Sequence, residues 1–107
     1  MNKTRMQLSD VASDKSEITV KCPNCGSEYL THGSVHIFNR REDSKEGVHF
    51  KIAANNCELD GDMLGNPSSR RHGLLIQFSC EGCDAGVFMC VAQQKGLTTV
   101  WMEHVLQ

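Results

Sequence analysis

The chain has few aromatic residues, no excess of basic charge and no long apolar run. Aromatic residues make up 6% of the 107 positions, so a domain of this length has little bulky material for its core. The 11 Lys and Arg against 13 Asp and Glu give a formal net charge of −2, which argues against a protein that works mainly through phosphate contacts. No apolar run reaches the roughly 18 residues that span a bilayer.

A secretory signal is also missing from the start of the chain. The first ten residues are polar and contain no apolar segment of the ~7–15 residues that such a signal needs. We therefore expect a cytoplasmic protein without membrane contact. Stable disulfides are disfavoured in that reducing compartment, so the cysteines need another explanation.

Apolar and polar residues alternate along most of the chain, which is typical of β-strands. The strand-like segments are 18–21, 34–40, 48–52, 74–79, 87–92 and 98–105. They predict a mainly β fold, a small antiparallel sheet of about five or six strands with little or no helix. Residues 1–17 are rich in Ser, Asp and Lys and are predicted to be a flexible N-terminal tail. Residues 18–107 then form one β domain.

One stretch of this domain is predicted to be an insertion. Segments 34–40 and 48–52 read as a hairpin with a long charged tip, and the Gly- and Ser-containing residues that follow read as a turn-rich loop. The insertion therefore covers about residues 34–73. A single layer of so few strands buries little surface, so the fold needs an additional stabilising element.

Six cysteines are the most informative feature of the chain, and four of them form two C-x-x-C pairs. Two intervening residues let a tight turn direct both thiolates at one ion, with backbone N–H groups facing the sulfurs. Two such turns supply the tetrahedral set of four sulfurs, at about 2.3 Å, that zinc prefers in closed structural sites. We therefore predict one Zn²⁺ held by two zinc knuckles, with the ligands Cys22, Cys25, Cys80 and Cys83.

Two other uses of these cysteines stay open. A rubredoxin-like iron centre has the same four-sulfur geometry, so the ligands alone do not separate iron from zinc. The Cys22–Cys25 pair also looks like the glutaredoxin-type dithiol of a thiol oxidoreductase. Such a dithiol needs a helix that starts at the motif and lowers the thiol pKa. Gly26 and Gly33 follow the pair, and glycine is a poor helix former.

The spacing and the two remaining cysteines bear on this interpretation. The 54 residues between Cys25 and Cys80 exceed the ~15–20 of compact C-x-x-C sites, and the predicted insertion would fill that gap.

Cys90 stands beside Phe88 in a strand-like segment and is interpreted as a small buried hydrophobe. Cys57 is either a further ligand or a free surface thiol, and the second is favoured.

Five residues are candidates for contact with a partner or with nucleic acid: Lys51, Arg70, Arg71, Lys95 and Trp101. The adjacent arginines could hold a phosphate or an acidic patch, although a solvated loop is the simpler interpretation. Trp101 could stack on bases. An exposed apolar patch for a protein partner could come from the large apolar residues Phe38, Phe50, Trp101 and Met102. Because the chain has so few aromatic residues, most of these four are expected to be core residues.

The histidines and acidic residues form weaker patterns. His36 and His49 fall opposite each other in the predicted hairpin, but unpaired surface histidines are the simpler interpretation. Glu58, Asp60 and Asp62 alternate like the first ligands of a calcium loop, yet the glutamate expected later in such a loop is missing. No arrangement for nucleophilic catalysis can be identified in the sequence.

The two cysteine pairs resemble those of the zinc-ribbon family, with its rubredoxin-like folds. In that family each pair caps a β-hairpin, and the resemblance implies that the four paired cysteines are the metal ligands. A second resemblance covers residues 65–99, where Gly65–Arg71, Leu74–Ile76, Cys80–Cys83 and Gln94–Thr98 look like segments of small proteins encoded by bacteriophages and mobile elements. It implies a bacterial, intracellular setting and no particular activity.

These features predict a non-catalytic, zinc-stabilised binding module that acts through contact with a protein partner. Homodimer formation by pairing of sheet edges is a variant of this hypothesis. A nucleic-acid-binding zinc ribbon is the second hypothesis, followed by a thiol oxidoreductase and a rubredoxin-like iron protein. An enzyme is not expected, because four thiolates leave no open position on the metal for water or substrate.

Overall fold

The computed structural model describes residues 2–8 and 17–105, and the regular elements in this part of the chain are all β-strands. The mainly β prediction is therefore confirmed. Nine strands are described where the sequence predicted about five or six: β1 (Asn2–Thr4), β2 (Gln7–Leu8), β3 (Val20–Lys21), β4 (Leu30–Arg40), β5 (Gly47–Ala53), β6 (Asn56–Asp60), β7 (Gly73–Cys80), β8 (Gly86–Gln94) and β9 (Leu97–Val105).

Seven of these strands form one antiparallel sheet in the order β1-β9-β8-β7-β4-β5-β6, and β2 pairs with β3 in a separate small sheet. The large sheet consists of two meanders, β4–β6 and β7–β9, which are joined where β4 pairs with β7. The β4–β6 meander and the loop 61–72 correspond to the predicted insertion.

Two of the hairpins turn on residues with positive φ. Ala54 and Asn55 connect β5 to β6 with φ of 51° and 65°, and Lys95 and Gly96 connect β8 to β9 with φ of 50° and 78°. Left-handed conformations at both central residues match the right-handed twist of the flanking strands. Both connections are therefore tight two-residue turns that fix the register of the strands on either side.

Both sides of the large sheet carry buried residues, but at different ends. At the cysteine end, Val87 and Met102 are fully buried together with Cys22 and Ala85, and Met6 packs against them. On the opposite side, the side chains Phe38, His49, Cys90 and Ala92 are buried, and Ser68 of the loop 61–72 is buried near them. The core is therefore divided by the sheet into two small parts.

Two members of the expected apolar patch belong to this core. Phe38 is 1% exposed and Met102 is 0% exposed, so these two are core residues, as was expected of most of the four, and they do not contribute to an exposed patch. Both lie at sheet positions that an overlying segment covers, which composition and alternation alone do not show. Phe50 and Trp101, the other two members, are half-buried.

The predicted tail, residues 1–17, includes β1 and β2. β1 pairs with the outer edge of β9, with Lys3 opposite Glu103, and β2 pairs with β3. Residue 1 and residues 9–16 lie outside the described residues. In the described part of the chain, no helix is long and apolar enough to cross a membrane.

Candidate functional site

The two cysteine pairs meet at one end of the large sheet because of the pairing between β4 and β7. Cys22 follows β3, and the first pair is completed before β4 begins. Leu30, the first residue of β4, lies opposite Cys80, the last residue of β7. Antiparallel pairing therefore brings together two turns that are 54 residues apart in the sequence.

The four sulfur atoms are spaced as ligands of one ion. The Sγ atoms of Cys22 and Cys83 are 3.7 Å apart, and those of Cys25 and Cys80 are 3.5 Å apart. All four lie within 4.8 Å of one another. Tetrahedral bonds of about 2.3 Å to zinc place the sulfurs about 3.8 Å apart, whereas a disulfide brings them to about 2.05 Å. The cluster therefore fits a tetrahedral metal and contains no disulfide.

Backbone N–H groups face every sulfur of the cluster. The donor to Cys80 is Gly82. The backbone N–H groups of Cys25 and then Asn24 act to lower the pKa of Cys22, that of Ser27 acts to lower the pKa of Cys25, and that of Ala85 acts to lower the pKa of Cys83. The Gly82 N–H lies 3.3 Å from the sulfur of Cys80. Hydrogen bonds of this kind stabilise thiolates, and they are the bonds that the turn geometry predicted.

The pKa values of the thiols depend on their neighbours. Asn24 Nδ2 donates to Cys83 Sγ at 3.4 Å and lowers the pKa of that thiol to about 7. The Ser27 N–H lowers the pKa of Cys25, but hydrogen bonds with the other thiols, Cys80 first, outweigh it and raise the value to about 12. Burial raises the pKa of Cys22. Cys22 and Cys25, whose pKa values are raised, thus retain protons that a divalent cation would displace.

Two glycines allow the turns to approach each other. Gly26 has a φ of +80° and donates its N–H to the carbonyl of Cys22 at 2.8 Å, which closes the first turn. A Cβ on Gly82 would lie 3.1 Å from the sulfur of Cys25 and 3.1 Å from the Cβ of Ser27. Any larger residue at this position would press the second turn against the first.

The cluster is located at the surface rather than in the interior. Cys22 is buried, Cys80 and Cys83 are half-buried and Cys25 is exposed. Within residues 2–8 and 17–105, these four residues are the group of His, Cys, Asp and Glu side chains whose spacing suits a metal ion. The chain therefore has a four-cysteine cluster that can hold one metal ion, and four protein ligands fill a tetrahedral coordination sphere.

The five candidate contact residues do not form one surface. Arg70 makes a two-point ion pair with Asp43, with both N···O distances 2.8 Å, so its charge is compensated. Arg71 and Lys95 lie at the end of the sheet opposite the cysteines, at the start of β7 and the end of β8. In the described part of the chain neither has an ion-pair partner.

Lys51 and Trp101 are separated by the width of the sheet. Lys51 is on β5 and Trp101 is on β9, which are four strands apart, or about 19 Å at the usual strand spacing. Lys3 lies over the Trp101 ring, 4.1 Å from its centroid, and the indole N–H donates to Glu103 at 3.2 Å. The Trp101 ring is therefore already in contact with two charged side chains of the same molecule.

A continuous apolar surface, called here the apolar face, covers one side of the sheet. The register places its members side by side on six neighbouring strands. They are Leu59, Phe50, Ile37, Leu74, Val91 and Val100 in one row, and Ile52, Val35 and Ile76 in the next. Ile37, Ile52, Leu59 and Val100 are 38%, 42%, 69% and 41% exposed. No charged residue interrupts the two rows.

The other side of the sheet holds a chain of hydrogen bonds that links β4, β5 and β6. The carboxylate of Asp60 accepts from His49 Nδ1 at 2.9 Å, and the Nε2 of His49 is 2.8 Å from His36 Nδ1. Because a carboxylate only accepts, His49 carries its proton on Nδ1 and accepts from His36. The two histidines are therefore paired, contrary to the simpler interpretation of unpaired surface residues.

The remaining cysteines and acidic residues are also located. Cys90 is 1% exposed, as expected of a small buried hydrophobe, and Cys57 is exposed on β6. Asp60 and Asp62 each accept hydrogen bonds from the backbone two residues further on. These bonds form ordinary loop turns, and the described residues contain no acidic group with the spacing of a metal site.

Sequence reasoning missed Asn24 as a donor to sulfur and the apolar face as a surface. Asn24 is one of the two residues inside the first C-x-x-C pair, and this position could have indicated that its side chain lies close to the sulfurs. The apolar face was visible only as alternation in separate strands, whose order in the sheet the sequence does not give.

Comparison of the chain with protein-family models, with curated proteins and with solved structures finds no match. What the chain does must accordingly be inferred from its own residues.

Proposed function

We propose that the chain is a non-catalytic, zinc-stabilised β module of zinc-ribbon type that binds a protein partner. The four sulfurs at tetrahedral spacing, each with a backbone N–H donor, support the stabilising metal. Zinc is preferred to iron because a closed four-thiolate site is its usual structural environment. When bound, the metal supplies a crosslink between the turn after β3 and the turn after β7.

The metal assignment is tested by native mass spectrometry together with the absorption spectrum of the purified chain. We expect one zinc ion per chain and no visible absorption, since zinc is colourless and an iron–thiolate centre is red. Cys25→Ser should abolish stoichiometric binding, whereas Cys57→Ser, at an exposed cysteine outside the cluster, should leave it unchanged. A red protein, or full zinc binding by the Cys25 variant, would overturn the assignment.

The observation that carries the protein-binding role is the apolar face. A soluble protein seldom exposes a contiguous apolar surface of this kind unless a partner covers it. Here six neighbouring strands contribute to two rows without a charged side chain, and Leu59 at one end is 69% exposed. Nucleic-acid binding has less support, because the five basic and aromatic candidates are distributed over different surfaces.

The partner-binding role is tested with one substitution on each side of the sheet. Ile52→Asp places a charge on the apolar face, and Lys51→Asp changes the charge of the neighbouring residue, which points to the other side. Light scattering and crosslinking in host-cell extract would be compared for both variants and the wild type. We expect Ile52→Asp to lose self-association or crosslinked partners that Lys51→Asp keeps. Identical behaviour of all three proteins would contradict the proposal.

A further inference from the structure

A cavity of about 610 Å³ opens at the end of the sheet opposite the cysteines. Ile37, Leu74 and Val91 line it, and the register places these three residues side by side on β4, β7 and β8. All three belong to the apolar face, so the cavity is continuous with that surface. A volume between ~300 and 1,000 Å³, with an apolar lining and a few polar groups, is typical of a binding site.

Positive charge borders this apolar lining. Arg71 and Lys95 both line the cavity, and within the described residues neither forms an ion pair. Glu42 lines it as well, but its carboxylate lies 3.8 Å from Nη2 of Arg70, which compensates part of its charge. The cavity therefore has two uncompensated cations beside an apolar surface, in a chain whose formal net charge is −2.

The segment that carries Arg71 is held in place by buried hydrogen bonds. Ser68 is 1% exposed, and its Oγ donates to the carbonyl of Gln93 at 2.8 Å and accepts from the Arg71 N–H at 3.0 Å. Asn66 Nδ2 donates to the Arg71 carbonyl at 3.0 Å. These bonds attach the loop to the end of β8. The backbone at Arg71 is therefore positioned in advance, which reduces the entropy lost when this part of the border binds a ligand.

A third donor group completes the polar part of the lining. The Arg40 N–H donates to Nδ1 of His72 at 3.1 Å, so a neutral His72 ring carries its proton on Nε2. His72 lines the cavity between the loop and β7. The polar part of the lining thus includes the His72 imidazole as well as two cationic side chains.

We propose that this cavity receives a segment of a partner polypeptide in which a large apolar side chain lies next to a carboxylate. The apolar side chain packs on Ile37, Leu74 and Val91, and the carboxylate pairs with Arg71 and Lys95. This inference rests on the proposed function and specifies the chemistry of the partner. Complementary charge selects an acidic segment over a neutral or basic one.

The test is a titration of the isotope-labelled, metal-loaded full chain, followed by amide NMR. The probe is a short synthetic peptide of alternating Leu and Glu, with a Leu–Lys peptide and a Ser–Glu peptide of equal length as comparisons. We expect the Leu–Glu peptide to shift the amides around Leu74, Val91 and Gly96. The two comparison peptides should produce no such shifts at the same concentration.

Two sets of variants make the result specific. Arg71→Gln combined with Lys95→Gln leaves shorter, neutral side chains that are still polar and unbranched, removes both charges and should weaken binding about tenfold or more. Arg41→Gln is the matched control, because Arg41 is an exposed arginine of the β4–β5 connection that does not line the cavity. Its affinity for the peptide should equal that of the wild type.

Three results would overturn the inference: no shifts with the Leu–Glu peptide at millimolar concentration, equal shifts with the Leu–Lys peptide, or unchanged affinity of the double variant. Octanoate serves as a further probe, and binding of octanoate without binding of the peptide would also contradict a polypeptide occupant. Failure of the proposed function gives a different result, because Ile52→Asp lies outside the cavity lining. If Ile52→Asp abolishes partner contact while the double variant does not, only the cavity inference fails.

Discussion

At the scale of single residues, stability depends on a few side chains that are fully enclosed. Met102 is 0% exposed in the core next to the cysteine cluster, whereas Val100, two residues earlier on β9, is 41% exposed on the same side of the sheet. The two residues differ in burial because Met102 belongs to the buried cluster against which Met6 packs, whereas Val100 is outside that cluster. The two residues therefore form a matched pair for measuring what burial contributes.

We expect Met102→Ala to lower the free energy of unfolding by about 2–5 kcal/mol, since truncation leaves a cavity in a close-packed site. Val100→Ala should cost less than about 1 kcal/mol, because the side chain is already partly hydrated. Urea denaturation of the metal-loaded proteins measures both values. Equal losses for the two variants would show that Met102 is not enclosed in solution.

The two cysteines outside the cluster should differ in reactivity. Cys57 is exposed, whereas Cys90 is 1% exposed and burial raises the pKa of its thiol to about 12. Only the thiolate reacts with iodoacetamide, so we expect rapid alkylation of Cys57 and almost none of Cys90 in the metal-loaded protein. Peptide mass spectrometry identifies the modified residue. Modification of Cys90 at the same rate as Cys57 would contradict the described burial.

At the scale of the strands, the hydrogen-bonded chain from His36 through His49 to Asp60 connects β4, β5 and β6 on the side of the sheet opposite the apolar face. Burial lowers the pKa of His36 from its ordinary 6.5, and the charges of His49 and Lys51 lower it further. The Asp62 N–H, followed by the His49 hydrogen bond, lowers the pKa of Asp60. The folded protein therefore binds fewer protons at these groups than the unfolded chain does.

A lowered pKa means that the stabilising contribution is present above the ordinary value and is lost as pH falls through the lowered one. We therefore expect amide exchange in β5 and β6 to accelerate between pH 7.5 and pH 5.5, more than exchange in β8. His36→Leu removes the titrating ring and should reduce this pH dependence, whereas His32→Leu, at an exposed histidine of the same strand, should not. Hydrogen exchange with mass spectrometry measures all three strands, and an equal pH response in both variants would rule the explanation out.

Several strands were predictable because their signal is local. β5 alternates apolar and polar residues, β7 and β8 contain short apolar runs, β9 is rich in β-branched and aromatic residues, and each was predicted within a few residues of its observed bounds. β6 was not predicted, because Asn56–Asp60 is mostly polar, with Leu59 as its single large apolar residue, and it is exposed throughout. It is a strand because the turn at Ala54 and Asn55 places it against β5, and nothing in an Ala-Asn pair signals a left-handed turn as strongly as glycine would.

At the scale of the whole molecule, the four-cysteine cluster lies between the small β2–β3 sheet and the large one, where a bound metal would connect them. The core beneath it is limited, with Cys22, Val87 and Met102 at its centre. Removing the metal leaves four adjacent thiols that have no counter-charge and no covalent link. The crosslink is therefore expected to contribute a large share of the stability of this end of the fold.

We expect exhaustive chelation to lower the melting temperature by about 10 °C or more and to expose the amides of β3 and of the turn at 80–83 before those of β4 and β7. Readdition of Zn²⁺ should restore both. Differential scanning calorimetry and hydrogen exchange provide the measurements, with Cys57→Ser treated in the same way as a control for nonspecific effects on thiols. A chain with the same melting temperature before and after chelation would show that the cluster is not structural.

The sequence by itself determined the strand-forming segments and the residues that can bind a metal, because alternation and the C-x-x-C spacing are properties of neighbouring residues. Only the tertiary structure decided how the strands are ordered and what each face carries. The β4–β7 pairing brought Cys22 and Cys25 to Cys80 and Cys83 across 54 residues, and the same order aligned separate apolar residues into one face. The strand order and the composition of each face depend on contacts between distant parts of the chain. Backbone hydrogen bonding and burial together select these contacts, and no local sequence pattern encodes them.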